Sequence, residues 1–153
     1  MEIIYLVSFF ILGLVMGSFF CVVGLRLVKG ENFVVTRSHC DTCKHELAIK
    51  DLIPLLSYIT LKGKCRYCKS KINPLLFFVE LFTGLLFMIA YYSFSFSIDL
   101  VITLIAISLT MIIFVTDLTY LIIPDEVLIF FAIIFILLNI IKLGIMGSLE
   151  MLG

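Results

Sequence analysis

The sequence predicts an all-α polytopic membrane protein: about four transmembrane helices, with a cytoplasmic zinc-knuckle loop between spans 1 and 2. Three observations carry this expectation. Apolar residues make up 63% of the 153-residue chain and charged residues only 14%, with a mean hydropathy of +1.25. Soluble domains run nearer ~45–50% and ~25%. Four apolar runs approach or reach the ~20 residues needed to cross a bilayer. Finally, ten of the eleven Lys and Arg residues fall between Arg26 and Asn73, the segment that also holds two Cys-x-x-Cys pairs.

The first run, Ile3–Leu25, lacks a basic leader and exceeds the ~7–15 apolar residues of a cleaved signal peptide, so residues 1–25 read as a retained span. Its Gly13 and Gly17 form a small-xxx-small face that lets another helix approach closely. Cys21, mid-span, reads as a small hydrophobe. The remaining runs are Leu75–Phe94, Ile98–Thr116 and Val127–Leu143, so residues 74–153 hold spans 2–4. Pro54, Pro74 and Pro124 stand near element starts, where a missing N–H is tolerated.

The formal charge of zero conceals a separation. Residues 26–73 carry ten bases against four acids, a net +6; the rest carries one base and seven acids, a net −6. Basic residues in short loops mark the cytoplasmic side. The loop is therefore expected inside, the N-terminus outside, Ser93–Asp99 outside and Asp117–Glu126 inside. Such a loop also attracts anionic lipid. Nucleic-acid binding finds no support, since no interleaved aromatic pattern accompanies the bases. A transporter or channel finds none either, since no inverted repeat is visible.

A loop of about 50 residues is too small for a core of its own and needs a staple. Cys40, Cys43, Cys65 and Cys68 offer one. Disulfides are rare in the cytosol, and two Cys-x-x-Cys pairs match a closed, structural zinc site. Four thiolates on Zn²⁺ leave a charge of −2, which Lys44, Lys64, Arg66 and Lys69 offset. His39 and His45 flank the first pair as alternative ligands. Between the pairs, Asp51–Tyr58 is amphipathic and is expected to pack on the membrane surface or under the zinc lobe.

Ionisable groups inside spans are costly and are functional candidates by default. Asp117, at the end of span 3, has apolar neighbours on both sides in sequence and suits proton transfer; the alternative is an aspartate marking a helix end. Asp125 and Glu126 read as helix N-terminal acids after Pro124. Glu80 lies six residues past Pro74, about 9 Å along a helix, placing it near the depth of Asp117, to anchor a hydrogen bond or to touch substrate. Glu2, Asp99 and Glu150 are expected at outer ends, needing only water.

Taken in order, Gly17-Ser18-Phe19-Phe20, Arg26-Leu27, Arg37-Ser38-His39-Cys40 with Cys43, Asp51–Tyr58, Gly63–Cys68 and Val79-Glu80-Leu81-Phe82-Thr83-Gly84 resemble the N-terminal part of the type IV prepilin leader peptidases. The resemblance runs from Gly13 to about Asp125. It implies a bacterial inner or plasma membrane aspartic peptidase whose four-cysteine loop binds zinc. Such enzymes cut the basic leader of prepilins and pseudopilins after a glycine, at the cytoplasmic face. Many also methylate the new N-terminus with S-adenosylmethionine, although no glycine-rich nucleotide cradle occurs here. The segment Phe114–Asp125 resembles the family's first catalytic-aspartate stretch, which makes Asp117 the first catalytic carboxylate. The family's second aspartate sits in a Gly-x-Gly-Asp motif, and none of the nine glycines here begins one. On a continuous helix Asp125 would lie about 12 Å from Asp117, too far to stand in easily unless the turn at Pro124 alters that distance. The sequence therefore leads us to expect a truncated form, one half of a split enzyme or an inactive relative. The alternative is a non-catalytic membrane scaffold or binding module for prepilin assembly.

Overall fold

The computed structural model describes residues 2–30, 38–40 and 42–150; Glu31, Arg37 and Asp41 of the charged loop, and residues 151–153, lie outside it. The described chain is helical: α1 (Glu2–Val28), a 3-10 turn (Ile49–Asp51), α2 (Leu56–Thr60), α3 (Pro74–Phe94), α4 (Ile98–Tyr120) and α5 (Asp125–Glu150). Four stretches are long and apolar enough to cross a membrane: Glu2–Val28, Pro74–Phe94, Ile98–Tyr120 and Asp125–Gly144.

Local chemistry sets the helix ends. Asn73 caps α3, its side chain accepting from the Leu75 amide at 3.0 Å, and Pro74 opens the first turn. Ser97 caps α4 by accepting from the Leu100 amide at 3.2 Å. α4 ends where Leu121 turns left-handed (φ 55°) and returns its amide to the Asp117 carbonyl at 2.9 Å. Asp125 and Glu126 occupy the first turn of α5, complementing its positive end. The helices outrun the apolar segments: α1 continues through Arg26 to Val28 and α4 through Asp117 to Tyr120. A helix stops where its backbone is capped, not where its side chains turn polar.

Lipid tails are as apolar as leucine, so helices in a membrane associate by close packing rather than by water exclusion. The glycine face of α1 supplies this. A Cβ on Gly13 would stand 2.7 Å from the Gly84 Cα and the Thr83 carbonyl of α3, and one on Gly17 would stand 2.9 Å from the Glu80 Cα. Further along, Gly24 faces Val115 and Thr116 of α4. Helix α1 thus packs against both α3 and α4, and α5 packs on α4. The main core joins Phe20, Val23, Phe87, Met111, Ile112, Val127 and Phe131 from all four long helices. Cys21 is buried with Val79 and Val115 and is plain packing.

One expectation is corrected. Asp99 does not rely on water: its carboxylate pairs with Lys142 of α5 at 2.5 Å. The antiparallel α4 and α5 bring the start of one beside the later half of the other, and the long lysine stem spans the gap.

Candidate metal centre and the cavity beneath it

The two Cys-x-x-Cys segments fold alike. The Cys40 amide donates to the His45 carbonyl (3.0 Å) and the Lys44 amide to the Cys40 carbonyl (2.8 Å). The second segment repeats both bonds, Cys65 to Ser70 (2.8 Å) and Lys69 to Cys65 (3.1 Å). Lys44 (φ 58°) and Lys69 (φ 61°) take the left-handed turn that reverses each chain. Single antiparallel bridges, His39 with Glu46 and Lys64 with Lys71, close the two knuckles. This is a structural repeat that the sequence did not announce, because it is carried by backbone bonds and only the cysteines and one lysine recur.

The knuckles bring all four Sγ atoms within 4.8 Å of one another, and Cys40 Sγ lies 3.7 Å from Cys68 Sγ. Metal–sulfur bonds of ~2.3 Å in a tetrahedron require sulfur–sulfur edges of about 3.8 Å, whereas a disulfide requires ~2.05 Å. The four cysteines are free thiols, and the cluster fits a tetrahedral metal such as zinc. Neither His39 nor His45 belongs to it; the His45 ring lies instead on Tyr67, 3.8 Å between centroids. The Cys43 amide, with the Thr42 amide and the Ser70 hydroxyl, holds the Cys40 thiol down to about 6. The Ser70 hydroxyl, 3.0 Å from the Cys68 sulfur, lowers that thiol too. The His45 amide favours a Cys43 thiolate, yet desolvation and the neighbouring Cys68 and Cys40 sulfurs push Cys43 up to about 11. A bound dication removes that conflict by neutralising sulfurs that otherwise repel.

Asp51 braces the second knuckle, a role that sequence reading missed. Its carboxylate accepts from Arg66 Nε at 2.6 Å, Tyr67 Oη at 3.3 Å and the Ala48 amide at 3.3 Å. Arg66 and Tyr67 are the two residues between Cys65 and Cys68. Burial would raise the Asp51 carboxyl, but the Arg66 guanidinium and the Ala48 amide outweigh it and hold the group below its usual range. The available signal was a lone acid between two clusters of bases.

The Asp51–Tyr58 segment turns some side chains outward and holds others against α3. Leu52, Ile53 and Leu56 are exposed apolar groups, suited to a membrane surface. The same stretch is clamped to α3: the Leu55 amide donates to Glu80 Oε2 at 2.8 Å, and the Tyr58 ring packs on Phe77 at 5.2 Å. A cavity of about 450 Å³ lies between lobe and helices, its walls including Ser18, Arg26, Lys29, Tyr58, Glu80 and Tyr120.

Asp117 lies on the outward side of α4. The α-helical period turns Val115 and Thr116 inward, both fully buried, and leaves Asp117 exposed. Within the described residues its apolar neighbours in sequence do not enclose it. It stands in the last turn of α4, close in sequence to Thr119 and Tyr120, which line the cavity.

Fold and site together define a multi-pass helical membrane protein with a cysteine-stapled, metal-ready lobe between its first two spans. Residues 11–94 match the family described as the bacterial peptidase A24 N-terminal domain, and the chain belongs to that family. With four helices of spanning length, this assigns it to the bacterial inner membrane. It is 38% identical over 122 residues to a prepilin leader peptidase/N-methyltransferase of Bacillus subtilis (strain 168), covering 80% of this chain and 49% of the relative. Proteins of the same description from Myxococcus xanthus (strain DK1622) and Klebsiella pneumoniae are 39% identical over 121 residues and 38% identical over 122 residues. Those matches cover 79% and 76% of this chain and 36% and 54% of the relatives. The chain thus spans about half or less of the length of these relatives. No solved structure matches it.

Proposed function

We propose that this chain forms the N-terminal part of a membrane aspartic endopeptidase that removes the leader of type IV prepilins or pseudopilins at the cytoplasmic face. The observation that carries the reading is the family match over residues 11–94, joined to relatives named for this activity. In this reading residues 26–73 are a cytoplasmic lobe held by structural zinc on Cys40, Cys43, Cys65 and Cys68, and residues 74–153 begin the peptidase domain. The N-terminus lies outside in this reading, which the ten Lys and Arg residues of the lobe segment support.

Asp117 is the first catalytic carboxylate. Peptide hydrolysis by a carboxyl pair needs one group to take a proton from water and the other to give one to the leaving nitrogen. Asp117 supplies one of the two, and its exposure leaves it accessible to a partner carboxylate and to substrate. No Gly-x-Gly-Asp occurs in residues 1–153, so the second carboxylate comes from another segment. The substrate enters as an apolar helix beside the spans, with its basic leader at the lobe. Methylation of the new N-terminus with S-adenosylmethionine is supported only by the relatives' names, and we assign no residue to the donor.

The test is complementation of a prepilin-peptidase-null strain with this chain alone and with this chain fused to the C-terminal spans of the Bacillus subtilis relative. The chain alone is expected to leave prepilin uncut. The fusion is expected to cut it, and Asp117→Asn in the fusion to abolish cleavage. Cleavage unaffected by Asp117→Asn overturns the assignment, and pilus assembly without cleavage favours the scaffold reading. Labelling of the lobe thiols in intact cells by an impermeant reagent, after chelation, would invert the topology.

A further inference from the structure

We propose that Glu80 is a positioning residue: it latches the cysteine-stapled lobe onto the membrane helices by capping α2 from a distance, and so sets one wall of the cavity beneath the lobe. The inference rests on geometry and is independent of the peptidase reading.

A carboxyl group within a span is costly unless its oxygens have partners. Glu80 stands in the second turn of α3, half-buried, and its Oε2 accepts the Leu55 amide at 2.8 Å. Ser18 of α1 lies beside the same carboxylate. The close approach of Gly17 to the Glu80 Cα fixes the helix backbones at this level. The carboxylate is therefore held by two membrane helices and presented to the lobe.

What it meets there is an amide in need of an acceptor. Leu55 is the N-cap of α2, and the first N–H groups of a helix have no intrahelical partner. In a capping box a Glu or Gln at N3 accepts the amide of the N-cap residue. Here N3 is Tyr58, not Glu or Gln, and the Leu55 side chain makes no cap bond of its own. Leu55 also adopts φ 57° and ψ −49°, a positive-φ turn conformation unusual for a leucine. A helix of five residues has little stability of its own. Glu80, distant in sequence but adjacent in space, supplies the missing acceptor. Beyond the cap, Tyr58 packs between Phe77 and Gly63: its ring lies 5.2 Å from Phe77, and a Cβ on Gly63 would stand 2.9 Å from its hydroxyl. Ile53, Ser57 and Tyr58 line the cavity, as do Arg26 and Lys29. Releasing the latch frees the first three while the knuckles, bonded separately, stay closed.

The test is hydrogen–deuterium exchange on the whole chain in lipid nanodiscs, comparing wild type, Glu80→Ala and Glu80→Gln. Glutamine keeps an acceptor oxygen at the same reach. Glu80→Ala should speed exchange in residues 52–60 by about tenfold or more, the usual effect of losing a charge-assisted bond. Protection in α1 and the rest of α3 should stay unchanged, as should bound zinc. Glu80→Gln should restore most of the protection. If Glu80→Ala does not accumulate, Glu80→Met, which keeps volume without an acceptor, is read in its place. Unchanged exchange at 52–60, equal loosening by Gln, or loss of protection throughout α1 and α3 each overturns the latch.

Discussion

Replacing Gly13 by alanine adds one methyl group at the tightest point between α1 and α3. That carbon would sit 2.7 Å from the Gly84 Cα, 2.7 Å from the Thr83 carbonyl oxygen and 2.9 Å from the Phe87 Cβ. Two of these are backbone atoms, which no rotamer change can move. Ordinary contact begins near 3.4 Å, so the two helices must part by most of an ångström. Overfilling a packed interface costs about 1–3 kcal/mol. Against this, alanine favours a helix over glycine by ~1 kcal/mol. Gly13→Ala should therefore be destabilising by up to roughly 2 kcal/mol. Gly144 in α5 provides the internal control: a Cβ there meets nothing within 4 Å. Gly144→Ala should be neutral or up to about 1 kcal/mol stabilising. The assay is unfolding of the purified chain in mixed detergent micelles with rising dodecyl sulfate, followed by helix circular dichroism. Equal stability of the two variants would refute the claim that backbone contact at Gly13 holds these spans together.

Further outcomes concern the lobe. The purified chain should carry about one zinc, as one closed four-sulfur site holds, and lose it on Cys40→Ser; a metal assay reading zero in wild type ends the zinc assignment. Ser70→Ala should keep the stoichiometry but weaken affinity by about tenfold, read by chelator competition. Asp51→Asn should speed zinc release severalfold at pH 7 by loosening Arg66 and Tyr67. The sign for pH follows from its lowered pKa: the contribution is present above the unfolded value of about 4 and is lost only as pH falls through the folded one. The ratio of release rates between variant and wild type should thus be flat from pH 8 to 5, and a ratio that collapses near pH 6 would contradict the role given to Asp51.

Much of this protein was legible in order along the chain. Apolar run length marks spans, because a bilayer sets a minimum helix length. Paired cysteines mark a metal-ready loop, because each knuckle is a local turn that needs only its own few residues. The Gly13 and Gly17 spacing marks a contact face for the same reason. These features are written in neighbouring residues, so sequence alone determined them. The fold decided everything that joins distant residues: Asp51 to Arg66 and Tyr67, Glu80 to Leu55, Asp99 to Lys142. It also decided which side of α4 faces inward, burying Thr116 and leaving Asp117 exposed. A side chain's partner across the molecule depends on how helices cross and where loops return, and those positions exist only once the packed backbone has fixed them.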